Sequence, residues 1–242
     1  MRVSFFATCL VDMFFPEVGL SAVALLEQHG ARVDFPMAQT CCGQPAWNSG
    51  YKDETKAMAL QYLKAFTDSE YIVTPSGSCA AMVRGFYPEL FADQPTLQKE
   101  AEAVAARTYE LSEFLVRVMG LRDLGAAFQG KVAYHASCHM TRELGVKQEP
   151  LQLLKRVKGV ELCELERPDL CCGFGGSFAV RNSDTSVAMA DDKLADVKAS
   201  GAEVLVACDM GCLLHLGGRL RRRGDGLRVM HLAEVLVRKE DA

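Results

Sequence analysis

YIVTPSGSC, residues 71–79, lies without a gap on VLVACDMGC, residues 204–212. Each stretch opens with an apolar, β-branched run of the kind that fills a buried strand, and each closes on a cysteine just beyond it. The match extends outward. CCGQPAWN at 41–48 answers CCGFGGSF at 171–178, and FFATC at 5–9 answers YHASC at 134–138. The chain is one pattern written twice. The first copy reads C-x31-CCG-x35-C, with Cys9, Cys41, Cys42 and Cys79; the second reads C-x32-CCG-x38-C, with Cys138, Cys171, Cys172 and Cys212. Cys163 and Cys208 stand outside the matched eight, Cys208 facing Pro75 in register.

Hydrophobic periodicity repeats with the cysteines. In the first copy RVSFFAT is a strand, VGLSAVALLEQHG a helix with a glycine stop, ARVDF a strand, DETKAMALQYLKAFTD an amphipathic helix and YIVTP a buried strand. In the second, KVAYHAS, VELCELE, AEVLVA and LRVMH are strands, separated by helices over EPLQLLKRVKG and TSVAMADDKLADVKASG, and HLAEVLVRKE closes as a helix. Strands that alternate with helices predict parallel sheets. The expected fold class is therefore α/β, two similar Rossmann-like halves related by internal duplication, divided as 1–125 and 126–242 near GLRDLGAAFQGK. In an open parallel sheet the strand C-terminal ends share one edge, where ligands bind. Four cysteines per half fall at that edge.

A chain of 242 residues that is 49% hydrophobic has enough apolar material for real cores. A net charge of −4 carries no nucleic-acid signature. The opening MRVSFFATCLVDMFF holds a short apolar run, but Asp12 interrupts it and KVAYHASCHM repeats it mid-chain, so it is a strand rather than a secretion signal. No run reaches the length of a membrane span. A cytoplasmic location is expected, where clustered thiols stay reduced and bind metal or do redox work.

Three chemistries use adjacent thiols. A vicinal disulfide is a strained ring suited to switching. Zinc takes four thiolates tetrahedrally, but usually from C-x2-C knuckles rather than neighbours that point apart. An iron–sulfur cluster contains several irons, so two divergent thiolates can each hold a different one. Glycine after each pair permits a tight turn and close backbone approach.

The two cysteine patterns resemble the duplicated cysteine-rich CCG domain found in heterodisulfide reductase and in the iron–sulfur subunit of glycolate oxidase. The flanks TCLVDMFFPEVG, VDFPMAQTCCGQPAWNSGY, TPSGSCAAM, ASCHMTRELGV, CCGFGGSF and VMHLAEVL are similar to the lactate utilization protein A family over essentially the whole chain. The ferredoxin-type cysteine runs of the glycolate oxidase subunit are missing from this sequence. The resemblance implies an iron–sulfur electron-transfer component in the oxidation of L-lactate to pyruvate. Its partners would be a ferredoxin-like iron–sulfur subunit and a third small subunit. The eight matched cysteines would hold iron–sulfur clusters of the [4Fe–4S] type, with zinc an alternative in one half. In the heterodisulfide reductase relative a fifth cysteine completes each site as C-x2-C; here Met82 follows Cys79, and the second half carries Cys208-x3-Cys212. A metal-free thiol–disulfide oxidoreductase and a zinc-stabilised scaffold remain as alternatives.

Other residues carry weaker signals. His135 and His139 flank Cys138 and either tune a cluster or are polar residues at a loop edge. His215 falls one helical turn past Cys212, and His231 suits a strand-to-helix junction. Arg142 is a candidate for a substrate carboxylate or a surface role. GGRLRRRGDGLR at 217–228 reads as a solvated helix face, Trp47 and Tyr51 as packing near the first pair, and Cys163 as a core thiol. No nicotinamide or flavin motif is present, so lactate oxidation would need a partner's redox chemistry.

Overall fold

Every paired strand runs parallel to its neighbours. In the computed structural model, which describes residues 1–239, β1 (Arg2–Phe5), β2 (Arg32–Asp34), β3 (Tyr71–Thr74) and β4 (Thr108–Glu110) form one sheet in the order β2-β1-β3-β4. A second sheet of β5 (Ala127–His135), β6 (Lys158–Cys163), β7 (Val204–Ala207) and β8 (Arg228–His231) has the order β6-β5-β7-β8. The two orders are the same permutation, as expected of a duplicated α/β unit. Registers agree as well. Phe5 pairs with Val73 as Tyr134 pairs with Val206, and Thr74 pairs with Glu110 as Ala207 pairs with His231.

Burial follows position in the sheet. The inner strand β7, VLVA, is buried along its length, whereas the edge strand β2 is half-exposed to exposed. Edge placement also corrects one expectation. Cys163 ends the edge strand β6 and is only half-buried, so it is not a core thiol. The strand β4 escaped sequence reading because three residues, TYE, are too few to show a period. The closing helix is Leu232–Leu236, shorter than HLAEVLVRKE, and Glu240 of that stretch lies outside the described residues.

The two halves share a core. Val3, Phe5 and Val73 of the first sheet belong to one apolar cluster with Val132, Tyr134, Val204 and Val206 of the second, closed by Leu111 and Phe114. A smaller cluster sets Val11 and Val18 against Ala207, Met210 and Leu213. Polar links cross the same boundary. Gly77 N donates to Cys208 O at 3.2 Å and Ser78 N to Asp209 Oδ2 at 2.7 Å. A Cβ on Gly77 would collide with the Met140 side chain, so the halves meet there only because the residue is glycine.

His231 sits at the strand-to-helix junction, as its sequence context predicts. Its Nδ1 accepts from Ala233 N at 3.1 Å while Glu234 returns to His231 N at 2.7 Å, a capping box. That leaves Nε2–H to donate to Pro75 O at 3.0 Å, across the halves. Glu110, the matching residue of the first half, caps Ser112 N and Glu113 N at 2.7 and 3.1 Å. Among the described residues no helix is long and apolar enough to cross a membrane.

Candidate metal centre

The strand ends deliver four of the eight matched thiols. Cys9 opens the helix Cys9–Phe14 directly after β1, and Cys79 lies in Gly77–Ala81 after β3. Cys138 follows β5, and Cys212 lies in Met210–Arg223 after β7. The vicinal pairs come from loops, one between β2 and Gln44–Asn48, the other between β6 and Ser177–Arg181.

Each loop turns on its glycine. Gly43 has φ +82° and Gly173 φ +84°, a left-handed conformation that L side chains rarely adopt. The turn folds the glycine N–H back onto the first thiol of the pair, so Gly43 N reaches Cys41 Sγ and Gly173 N reaches Cys171 Sγ, each at 3.4 Å. The two thiols of a pair then serve different neighbours. Cys41 Sγ lies 3.6 Å from Cys9 Sγ, while Cys42 Sγ lies 3.4 Å from Cys79 Sγ. In the second half Cys172 Sγ lies 3.0 Å from Cys212 Sγ, and Cys171 is hydrogen-bonded with Cys138. Adjacent cysteines thus tie the thiol after the first strand to the thiol after the third, a task that one residue cannot perform.

All eight thiols line a single cavity of about 170 Å³ between the halves. Its walls include Gln44, Ser76, Ser78, His139, Asp209 and Met210. Gln44 Nε2 donates to Ser78 O at 3.2 Å and lies 3.1 Å from His139 Nε2, joining the first pair's helix to the second half. Asp209 caps two helix starts at once, taking Gly211 N at 3.1 Å and Ser78 N at 2.7 Å. Its counterpart Ser76 caps only its own helix, through Cys79 N at 3.3 Å. Ahead of Cys9, buried Thr8 holds φ 69°, ψ 152°, an unusual backbone state for a non-glycine residue at the mouth of a site.

Charge fixes what the cavity can hold. Hydrogen bonds from Cys42, Cys9 and Gly43 N–H pull the Cys41 thiol down to about 3, and those from Cys138, Cys172 and Gly173 N–H pull Cys171 down to about 2. Cys9 and Cys42 are pushed up because they act as donors to Cys41, and Cys138 and Cys172 because they donate to Cys171. The hydrogen bonds therefore favour a thiolate at Cys41 and at Cys171, with the donors Cys9, Cys42, Cys138 and Cys172 protonated. No lysine or arginine is among the described wall residues, and Lys193, outside the wall, is a cation that favours the Cys212 thiolate. Soft sulfur donors in fours, crowded with no cation in the cavity wall, fit a multivalent soft or borderline metal core, whether an iron–sulfur cluster or zinc.

His135 stands out. It is 1% exposed, and neither ring nitrogen has a hydrogen-bond partner among the described residues. Burial pushes its pKa down to about 3, so the ring is neutral. Leaving such a group unsatisfied costs about 1–3 kcal/mol per polar atom. Its ligating nitrogen and the sulfurs of Cys172 and Cys212 all lie within 4.8 Å of one another. The expectation of a loop-edge residue is corrected: His135 is the last residue of β5 and points into the protein.

The remaining candidates separate. His139 is a half-buried cavity wall, and His215 Nε2 lies 3.0 Å from Ser186 Oγ, whose hydroxyl donates to Gly173 O at 2.7 Å. Cys208 is fully buried, takes the Tyr134 hydroxyl at 3.6 Å and is not a wall residue. Arg142 is exposed and outside the wall. Trp47 packs on Phe86, whereas Tyr51 is 52% exposed. Arg219 and Arg223 both pair with Asp191, as a solvated helix face does. Gln44 and Asp209 were not singled out from sequence; Asp209 was within reach, since it aligns with Ser76 and both precede helices.

A model of the cysteine-rich CCG domain matches residues 3–84 and again 132–217, so both copies carry it. The chain belongs to the cysteine-rich CCG domain family. Among its CCG relatives, lactate utilization protein A of Geobacillus kaustophilus is 53% identical over 98% of both chains. Lactate utilization protein A 2 of Bacillus cereus is 51% identical over 98% of both. Among solved structures, a hypothetical protein from Helicobacter pylori superposes with a TM-score of 0.70 at 12% identity, over 98% of this chain and 48% of that one. That likeness shows the CCG chain's fold.

Proposed function

We propose that the protein is the iron–sulfur electron-transfer component of a system that oxidises L-lactate to pyruvate. Convergence of eight matched thiols on one cavity carries the chemical half of the proposal. The names of relatives at 53% and 51% identity carry the pathway. Cys9, Cys41, Cys42 and Cys79 would hold one cluster, and Cys138, Cys171, Cys172 and Cys212 the other. Such a cluster, when bound, supplies one-electron acceptance at a potential set by its charge, hydrogen bonds and exposure.

The chain's own part is to hold and shield. Gly43 and Gly173 N–H groups point at thiol sulfur and favour its ionised form. Cys42, Cys79, Cys172 and Cys212 are buried, while Cys9, Cys41, Cys138 and Cys171 are half-buried. Lactate to pyruvate releases two electrons and two protons, so two one-electron centres match the stoichiometry. The hydride or electron pair must be taken from lactate by a partner, because this chain carries no nicotinamide or flavin motif. A ferredoxin-like iron–sulfur subunit and a third small subunit, in the cytoplasm, complete the proposed system.

The test is anaerobic purification with a visible spectrum and iron, sulfide and zinc counts, repeated on Cys42→Ser and Cys172→Ser. Iron and sulfide should fall by about half in each variant and further in the double variant. Zinc alone would move the protein to a scaffold, and a metal-free protein with an intact fold to thiol–disulfide chemistry.

A further inference from the structure

The duplication sets a residue-by-residue control beside every site residue, and at one buried position the two halves differ in kind. Pairing of Phe5 with Val73 and of Tyr134 with Val206 makes Phe5 and Tyr134 equivalent, so the next residues, Phe6 and His135, are equivalent too. Phe6 is fully buried and packs edge-on against Tyr62 at 4.9 Å, in the same apolar cluster as Cys42 and Cys79. The Phe6 side chain carries no polar atom. In the second half the same place holds an imidazole.

Each of the other four histidines has a partner. His29 Nδ1 lies 2.8 Å from Leu25 O, His139 meets Gln44, His215 meets Ser186 and His231 meets Ala233 N and Pro75 O. His135 alone has none among the described residues, on either nitrogen. Its buried neighbours Cys172 and Cys212 present their sulfurs within 4.8 Å of its ring nitrogen and of each other. Ligands of one transition ion, at about 2.0–2.3 Å from it, stand no farther apart than that. A buried ring with two idle nitrogens, aimed at two thiols already assigned to a metal, is completed by the same metal.

We propose that His135 is a ligand of the second-half centre, sharing an ion with Cys172 and Cys212, so that the protein carries one thiolate-only centre and one mixed imidazole–thiolate centre. This deepens the metal-centre assignment above and rests on it. A neutral imidazole adds a ligand without adding negative charge, whereas a cysteine in its place would add one and lower the reduction potential.

The test uses the anaerobically loaded protein, with His135→Phe, which copies the first half, His135→Cys, which restores a soft donor, and Phe6→His as the reverse exchange. Pulsed electron paramagnetic resonance of the reduced wild type should show strong coupling to an imidazole nitrogen, absent from His135→Phe and His135→Cys. His135→Phe should lose metal from the second half only, with the Cys42-dependent share intact. His135→Cys should recover the count at a lower potential. Circular dichroism and unfolding midpoints report whether each variant folds. Nitrogen coupling absent from a wild type that holds both centres, or a His135→Phe protein with unchanged metal count, spectrum and potentials, overturns the His135 assignment alone. A wild type with no metal overturns the metal-centre assignment and this one together.

Discussion

Replacing Gly173 by alanine should hurt far more than the same change at Gly43, although both are the G of a CCG motif. Both residues are left-handed, which for alanine costs about 1–2 kcal/mol. The surroundings then differ. A Cβ on Gly43 would stand 3.3 Å from Thr55 Cγ2, a contact that a small shift relieves. A Cβ on Gly173 would stand 2.6 Å from the backbone oxygen of Ser186 and 2.9 Å from Met189 Cβ, both on the helix Ser183–Ala199. The loop cannot back away, because Ser186 Oγ holds Gly173 O at 2.7 Å. Overpacking of this kind adds about 1–3 kcal/mol. Gly43→Ala should therefore cost about 1–2 kcal/mol and Gly173→Ala about 2–5 kcal/mol. Denaturant midpoints at constant slope, measured anaerobically under reducing conditions, read the difference. Metal counts should show the second centre lost in Gly173→Ala and the first largely kept in Gly43→Ala. Equal costs, or a reversed order, would refute the claim that the helix Ser183–Ala199 clamps the second thiol loop.

Two further outcomes follow from the boundary between the halves. Burial raises Glu110 from 4.5 to about 7, so the folded state holds a proton there that the unfolded state has released. The stability from that proton is full below about pH 4.5 and is lost as pH rises through 7, on the order of 3 kcal/mol in all. Burial pushes His135 and His231 down to about 3 and 4, and they act with opposite sign as pH falls below about 6.5. The difference between wild type and Glu110→Gln thus carries the sign: the wild type's advantage should shrink between about pH 5 and 8, and a constant difference would contradict it. Asp209→Asn can keep only one of two caps and should cost about 1–2 kcal/mol, against about 1 kcal/mol or less for Ser76→Ala, which caps a single helix. Denaturant midpoints of the two variants in the opposite order would show that Asp209 does not bridge the halves.

The sequence exposed the repeat, the parallel strands and the eight thiols, because each is a local pattern of residue type and spacing. Apolar runs such as VLVA declare a buried strand without any partner in view. What stayed hidden is non-local. The strand TYE becomes visible only beside YIVT, which supplies its hydrogen bonds. Cys163 looks like a core thiol until β6 is known to be an edge. His135 has the neighbourhood of a loop residue in one dimension, and only the fold reveals that it is sealed from water with both nitrogens idle. Asp209 reaches Ser78 across 131 positions of chain, a distance at which spacing carries no signal.

The shared core has a bearing on how the protein is made. By the time a ribosome has synthesised Cys79, the first four thiols are all present, but Met210 and Leu213 that pack on Val11, the carboxylate of Asp209 that caps Ser78, and His231 that holds Pro75 are still to come. At about 5–20 residues per second the wait is on the order of ten seconds. During that interval the first half stands without its facing wall, and its thiols are open to oxidants and to stray metal ions as they never are again. A nascent chain of this design depends on a reducing surrounding, or on prompt delivery of the proper metal, most acutely before its second half arrives.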